Sequence, residues 1–233
     1  MTGCFYGVGV GPGDPELLTL KAVRLIQNAD LLCYLSNEAG HSQAKEIARF
    51  ALDETKRSQQ RLPIVMPMSR QRDAANVVYD GAAALIAKAL DAGQVVVFLC
   101  EGDPLFFGSF NYLLERLEGR YCCQVVAGIS SLHAAAAALQ RPLTQQEQSL
   151  VVVSGRHSDA DLLQALATHD SVVILKAGQA RSRILALLKQ SGRFDQGLYL
   201  EQIGRPEQRI VGDLAELEDK AGPYFSLFVV LKK

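Results

Sequence analysis

Residues 5–22, FYGVGVGPGDPELLTLKA, decide how this chain folds. The stretch opens as a short apolar strand and then places Gly7, Gly9, Gly11 and Gly13 on alternate positions. Glycine lets a backbone turn with positive φ and lets a ligand approach without meeting a Cβ. Asp14, Pro15 and Glu16 then lead into a helix: Asp14 caps its free N–H groups, and Pro15 suits a first position that needs no N–H. Leu17, Leu20 and Val23, flanked by Leu18, Ala22 and Leu25, give that helix an apolar stripe. A strand, a glycine turn and a capped helix form a small-molecule site at the C-terminal end of a strand. Gly13-Asp14-Pro15 has an echo at Gly102-Asp103-Pro104, behind the apolar run 95–99. A third strand-to-loop junction spans 125–131, VVAGISS. In a parallel sheet the three loops leave one edge and converge on one ligand.

Working outward, the pattern alternates strand and helix. Residues 29–35 predict a buried strand, 43–55 a helix and 62–66 a short strand. Residues 73–92 predict a long helix with Val77, Ala84, Leu85 and Ala89 on its inner face. Residues 95–100 form a continuous apolar run of the kind buried on both faces of a parallel sheet. Further segments are a helix at 109–117, a strand at 122–127 and an alanine-rich helix at 132–139. This alternation argues for an open parallel sheet with helices on both faces. The second half predicts strands at 150–154, 172–176, 198–201, 209–211 and 225–231, with helices at 159–167 and 181–190. Its closely spaced strands suggest a smaller mixed sheet, joined to the first between residues 118 and 145.

The chain has 233 residues, is 48% apolar and 21% charged, and carries a net charge of −1. That balance fits a globular core and gives no field favouring nucleic acid or an anionic membrane. No apolar run is long enough to cross a bilayer, and MTGCFYGVG lacks the basic-then-apolar pattern of a signal peptide. Cys4, Cys33, Cys100, Cys122 and Cys123 form no CxxC pair, so reduced thiols in the cytoplasm are expected. The histidines, at 41, 133, 157 and 169, have no metal-ligand spacing, so no metal is expected.

Which ligand the loops hold is narrowed by exclusion. A dinucleotide fingerprint needs G-x-G-x-x-G and an acid at the end of the second strand. Here the glycines repeat every two residues, Asp30 opens that strand, and Tyr34-Leu35 closes it. A P-loop needs Gly-Lys-Ser/Thr, which is absent. Three ligand loops, two of them carrying Gly-Asp-Pro, form a more specific set.

GVGPGDPELLTLKA, CEGDPLFFGSFNYL, and AGISSLHAAAAAL followed by Pro142-Leu143 resemble successive motifs of the tetrapyrrole (corrin/porphyrin) methylase family, and the resemblance covers essentially the whole chain. Within the family, residues 108–113 (GSFNYL) and 224–230 (YFSLFVV) look most like the precorrin-2 C20-methyltransferases of cobalamin biosynthesis. The resemblance implies two α/β domains, which we place at 1–128 and 129–233. The first holds an open parallel sheet and the second a mixed sheet. It also implies that S-adenosylmethionine binds in the cleft between them and that the protein is a homodimer. It implies further that Pro12 lies near the cofactor. By the same resemblance Gly102, Asp103 and Phe106 are expected to hold its adenosine and methionine parts, Ser130 and Ser131 to bond the methionine portion, and Lys176, Ala177, Gly204, Phe225 and Ser226 to close over the adenine. Uroporphyrinogen-III methylases carry an Asp near the end of strand two where this chain has Leu35, so that acid–base role is not carried over.

The reaction implied is transfer of a methyl group to a carbon of a reduced tetrapyrrole, leaving S-adenosylhomocysteine. The substrate bears many carboxylates, which arginine and lysine recognise well. Arg70 and Arg72 follow the third strand and Arg156 the sixth; Arg141, Lys176 and Arg205 are further candidates. Asn111 and Tyr112 lie just beyond the second Gly-Asp-Pro loop and are placed at the substrate. No catalytic base is named. The competing readings are methylation of another corrin intermediate, a binding protein without turnover, and a nicotinamide-dependent oxidoreductase, the last opposed by the failed fingerprint.

Overall fold

Apolar side chains in the first five strands alternate cleanly between two directions. Phe5, Cys33, Ile64, Val96, Phe98 and Cys100 face one side, and Val8, Val10, Leu32, Tyr34, Val97 and Leu99 the other. A strand with both sides apolar must be covered twice, and the computed structural model supplies both layers. It describes residues 3–55, 58–67 and 72–232, without the side chain of Arg72. The chain divides into two compact units, Met1–Ser131 and Leu132–Lys233.

The first unit is a parallel sheet of β1 (Cys4–Gly9), β2 (Leu31–Ser36), β3 (Gln60–Val65), β4 (Val95–Cys100) and β5 (Cys122–Val126), in the order β3-β2-β4-β1-β5. α1 (Leu20–Asn28), α2 (Gln43–Ile47) and α3 (Arg49–Asp53) cover one face. α4 (Arg72–Asp91) and α5 (Phe110–Leu117) cover the other. Phe110 anchors that second layer: its ring lies 5.2 Å from Phe5 and 6.3 Å from Phe98, centroid to centroid, and all three are fully buried. Each such side chain contributes about 1.5–3 kcal/mol by leaving water. Gly7 is required beneath it, because a Cβ there would stand 2.6 Å from the Phe110 ring.

The second unit holds β6 (Leu150–Ser154), β7 (Ser171–Leu175), β8 (Gly197–Glu201), β9 (Arg209–Val211) and β10 (Ser226–Leu231), ordered β6-β7-β10-β8-β9. β6 and β7 are parallel; β10 runs antiparallel to both β7 and β8. α7 (Asp159–Thr168) and α8 (Arg181–Gln190) pack on one face through Leu162, Leu166, Ile184 and Leu188. α6 (Ser131–Leu139) is the alanine-rich helix. The architecture expected from the sequence, one parallel and one mixed sheet in an α/β chain, is therefore present, but each sheet has five strands, so the mixed one is not the smaller in strand number.

Three local expectations are corrected. The first helix does not begin at Pro15. Asp14 caps a single 3-10 turn, Pro15–Leu17, by accepting the Glu16 N–H at 2.8 Å. Leu18 is extended, and Thr19 caps α1 by accepting the Ala22 N–H at 3.1 Å. That break rotates the helix, so Leu20 is exposed and Ala22 and Ile26 are buried. The helix foreseen over 43–55 is two short ones, interrupted at Ala48. In α4 the inward face is Tyr79, Ala82, Ala83, Ile86, Ala89 and Leu90, whereas Val77, Ala84 and Leu85 are exposed. Apolar side chains of α4 fall on more than one side of the helix, and the sheet rather than the period selects which are buried.

Candidate functional site

Neighbouring strands whose chains leave toward opposite faces open a crevice at their C-terminal ends. β1 and β4 are such neighbours: β1 leads to α1 on one face and β4 to α5 on the other. The loops leaving them are tied together. The Gly102 N–H donates to the Gly11 carbonyl at 2.8 Å, and the Gly11 N–H returns to Gly102 at 3.3 Å. Both glycines have left-handed backbone, φ +82° at Gly11 and +65° at Gly102, which an L side chain adopts at a cost.

β5, on the other side of β1, brings the third loop into contact. A Cβ on Gly128 would stand 2.0 Å from the Gly102 carbonyl oxygen and 2.7 Å from Gly9 Cα. The three backbones thus meet with no room for a side chain. Asp103 fastens them: one carboxylate oxygen accepts the Leu105 N–H at 2.9 Å and the other the Gly128 N–H at 3.0 Å. Among the described residues of this loop, Phe107 is also left-handed, at φ +56°. Such conformations persist only where their surroundings over-determine them, and they cluster at functional sites. Leu105, Phe107 and Ile129 present apolar side chains to solvent along the same loops.

The sequence-derived candidates of this unit fall as follows. Pro12 is buried directly after the Gly11 bridge, and Phe106 is half-buried with its ring edge-on to Phe107 at 5.2 Å. Ser130 is buried in the third loop, and Ser131 is the first residue of α6. Gly102, Asp103, Pro12 and Ser130 therefore share one edge. Asn111 and Tyr112 occupy the first turn of α5. The Tyr112 ring stacks on Tyr79 of α4 at 4.9 Å, so it joins two helices. Arg70 lies outside the described residues, and of Arg72 only its place at the start of α4 is described.

In the second unit β10 begins where β7 and β8 end, so three strand ends meet. The Ala177 N–H donates to the Ser226 carbonyl at 3.2 Å, and the Gln202 N–H to the Phe225 carbonyl at 2.9 Å. Lys176 and Gln202, the residues just past β7 and β8, are both left-handed, at φ +55° and +54°. Arg205 is buried, and its guanidinium stacks on Phe225, 4.0 Å from the ring centroid. It reaches there from the turn containing Gly204, whose N–H donates to the Gln208 side chain at 2.8 Å. Lys176, Ala177, Gly204, Phe225 and Ser226 are thus one cluster. Arg156 is exposed on the loop after β6, where the Gly155 N–H donates to the Leu175 carbonyl at 2.7 Å; Arg183 grips the Gly155 carbonyl at 2.5 Å.

Electrostatics restrict the chemistry. Burial, with the charges of Glu101 and Asp103, pushes the Cys100 thiol well above its ordinary value, so it is no nucleophile. No group of three or more His, Cys, Asp or Glu side chains suited to a metal exists among the described residues. Orientation of two bound reactants by backbone and loop is what this arrangement offers. Sequence reading passed over Gly128 as a close-approach residue, over the buried Arg181–Glu201 pair, 3.2 Å apart, and over Gly222, where a Cβ would stand 2.3 Å from the Tyr199 hydroxyl. Gly222 carried a faint signal, a glycine before Pro223 just ahead of the last strand.

Comparison with known proteins agrees with this geometry. Residues 4–218 match the family described as Tetrapyrrole (Corrin/Porphyrin) Methylases. A precorrin-2 C(20)-methyltransferase from Sinorhizobium sp is 35% identical, over 98% of this chain and 95% of that protein. A cobalt-precorrin-2 C(20)-methyltransferase from Salmonella typhimurium is 33% identical, over 100% and 98%. The cobalamin biosynthesis protein CobIJ of Mycobacterium tuberculosis is 36% identical, and there the chain spans 45% of the relative's length. Among solved structures, uroporphyrin-III C-methyl transferase from Thermus thermophilus, complexed with S-adenyl homocysteine, superposes with a TM-score of 0.69 at 26% identity, covering 97% of this chain and 96% of that one. With the loop-bearing parallel sheet, the mixed sheet and a family match over most of its length, the chain belongs to the tetrapyrrole (corrin/porphyrin) methylase family.

Proposed function

We propose that this protein is an S-adenosylmethionine-dependent methyltransferase acting on precorrin-2, or its cobalt-containing counterpart, at C20 in cobalamin biosynthesis. The observation that carries this reading is the near-full-length similarity to two C20-methyltransferases, one for each form of the substrate. When bound, S-adenosylmethionine supplies the methyl group as a sulfonium electrophile. The loop edge of the first unit fits such a ligand. Gly11 and Gly102 carry no Cβ to obstruct a ligand, and Ser130 and Ser131 lead into α6, whose N–H groups suit a carboxylate. Lys176, Ala177, Gly204, Phe225 and Ser226 are the residues we assign to the adenine side, and Pro12, Asp103 and Phe106 to the rest of the cofactor.

The meso carbon C20 is already nucleophilic, being part of an electron-rich, enamine-like system. The protein therefore has mainly to align the two reactants and exclude water, a contribution of about 7–11 kcal/mol when the geometry is good, and the C20 proton then leaves to a weak base or to water. Arg156, with Arg70 and Arg72, is assigned to substrate carboxylates, and Asn111 and Tyr112 to the substrate's near side. Leu105, Phe107 and Ile129 suit the apolar flank of a macrocycle. We further propose that the enzyme works as a homodimer in the cytoplasm, with a small-molecule substrate and no nucleic-acid partner. No helix among the described residues is long and apolar enough to cross a membrane.

The test is anaerobic incubation of purified protein and labelled S-adenosylmethionine with metal-free precorrin-2 and, separately, cobalt-factor II. Gain of one methyl group by either tetrapyrrole supports the reading and selects the substrate form. Cofactor binding without methylation of either refutes the substrate assignment.

A further inference from the structure

Arg181 is only 3% exposed, so it carries its charge into the interior of the second unit. Its partner is Glu201, which accepts from Nη1 at 3.2 Å. A buried ion pair is weak as a source of stability, because desolvating both charges offsets their attraction. The surroundings of this pair give it another use. Arg181 Nε donates to the Lys220 carbonyl at 2.5 Å, and the guanidinium lies 5.6 Å from the centre of the Tyr199 ring. Lys220 belongs to the connection that ends at Ser226.

That connection is held at each step. The Gly222 N–H donates to the Gly178 carbonyl at 2.8 Å. A Cβ on Gly222 would stand 2.3 Å from the Tyr199 hydroxyl and 3.0 Å from Arg181 Nη1. A Cβ on Gly178 would stand 2.0 Å from the Pro223 carbonyl oxygen. That same carbonyl accepts the Ser226 hydroxyl at 2.9 Å, and the Ser226 carbonyl accepts the Ala177 N–H. Contact is continuous from Glu201 through Arg181, Lys220, Gly222 and Pro223 to Ser226 and Ala177. The last two are among the residues assigned to the cofactor. The Tyr199 hydroxyl is buried beside Arg181, Glu201 and Ser226, in the space that Gly222 leaves open.

We propose that Arg181, Glu201 and Tyr199 are positioning residues: they fix residues 220–226 so that Phe225, Ser226 and Ala177 present one preformed surface to the cofactor. This rests on the assignment of those three residues to S-adenosylmethionine. The ion pair is the anchor, Tyr199 the floor, and Gly222 the point at which the connection is pressed against both. Gly222 has no left-handed φ, so an added methyl acts by contact and not by backbone strain.

The experiment measures S-adenosylhomocysteine affinity by calorimetry and the two substrate KM values by turnover, on full-length Gly222→Ala and Glu201→Gln. Both variants should weaken S-adenosylhomocysteine about tenfold or more and raise the S-adenosylmethionine KM, while the tetrapyrrole KM stays within about twofold. Replacing Tyr199 by phenylalanine in the Gly222→Ala background removes the closer of the two atoms that the new methyl meets, leaving Arg181 Nη1 at 3.0 Å, and should restore part of the lost affinity. A purely stabilising role predicts neither the KM split nor that rescue. Phe225→Ala separates the two levels. If it leaves S-adenosylhomocysteine affinity unchanged, the cofactor assignment fails and this inference falls with it. If it weakens binding while Gly222→Ala and Glu201→Gln bind as the parent does, the positioning inference alone is overturned. Should Gly222→Ala fail to fold, Glu201→Gln decides.

Discussion

The Asp103 carboxylate accepts the Gly128 N–H at 3.0 Å, across 25 residues of sequence, and so locks the loop after β4 to the loop after β5. Its other oxygen holds the Leu105 N–H. Replacing Asp103 by asparagine turns an acceptor into a donor that faces a donor. A lost bond that strands a backbone N–H costs about 1–3 kcal/mol. Asp103→Asn should lower the unfolding free energy by that order and weaken S-adenosylhomocysteine binding together with it. Gly128→Ala, with its Cβ directed at the Gly102 carbonyl oxygen, should be harsher on both counts. Equilibrium unfolding and calorimetry read the two effects, and an unchanged Asp103→Asn protein would show that the tie is idle.

Gly7 and Phe110 form a second coupled pair, this time in the core. Gly7→Ala forces the ring away and should destabilise by about 1–3 kcal/mol, as overpacking does. Phe110→Leu alone loses buried area. The double variant should be more stable than the sum of the two losses, by about 0.5–3 kcal/mol of coupling. Strict additivity in denaturant melts would mean that the two residues are not in contact.

Asp170 makes part of the second unit's stability depend on pH. Its carboxylate accepts from Lys232 Nζ at 2.9 Å and from the Ser149 N–H and hydroxyl at 2.9 and 3.1 Å. Lys232 first, then Ser149, hold its pKa below the ordinary carboxylate value. A depressed folded-state pKa means that the stabilisation is complete above the unfolded value of about 3.9 and is lost as pH falls below it. Asp170→Asn should therefore melt earlier than the parent at about pH 7, and the gap should shrink steadily below about pH 4. A gap of constant size across that range contradicts the interaction.

The cysteines should alkylate in a set order. Cys122 is exposed, whereas burial, aided by neighbouring Cys122, pushes Cys4 up to about 11 although the two are paired across β1 and β5. Cys33 and Cys100 are buried and also raised, mainly by desolvation. Native protein treated with iodoacetamide should show Cys122 modified first and Cys4 at least about tenfold more slowly, because the thiolate is the reacting form. Cys33 and Cys100 should react only after denaturation. Peptide mass spectrometry resolves all four, and early labelling of Cys33 would place β2 at the surface.

The loops were legible because their residues are dictated locally. Gly11 and Gly102 need positive φ, Asp14 needs a helix end, and the run 95–100 needs two apolar layers. The faces of the helices were less so. Val77 and Leu85 fit an inward stripe by period, yet the sheet buries Tyr79, Ile86 and Leu90 instead. Thr19 restarts a helix that the apolar pattern alone would run through. Arg181 and Glu201 are 20 residues apart and meet only once β8 and α8 are assembled, so no local signal announces them. The same holds for Arg205 on Phe225, where a residue offered as a candidate for substrate carboxylates proves buried on an aromatic ring.

The central claim is methyl transfer to one defined carbon, and the most direct measurement is the position of the new methyl group. Precorrin-2 and cobalt-factor II labelled with carbon-13 at C20 would be turned over with methyl-labelled S-adenosylmethionine, and the product examined by carbon NMR. The account predicts a direct carbon–carbon coupling between the methyl group and C20, with loss of the C20 proton signal. A methylated product without that coupling would place the reaction at another carbon and contradict the assignment.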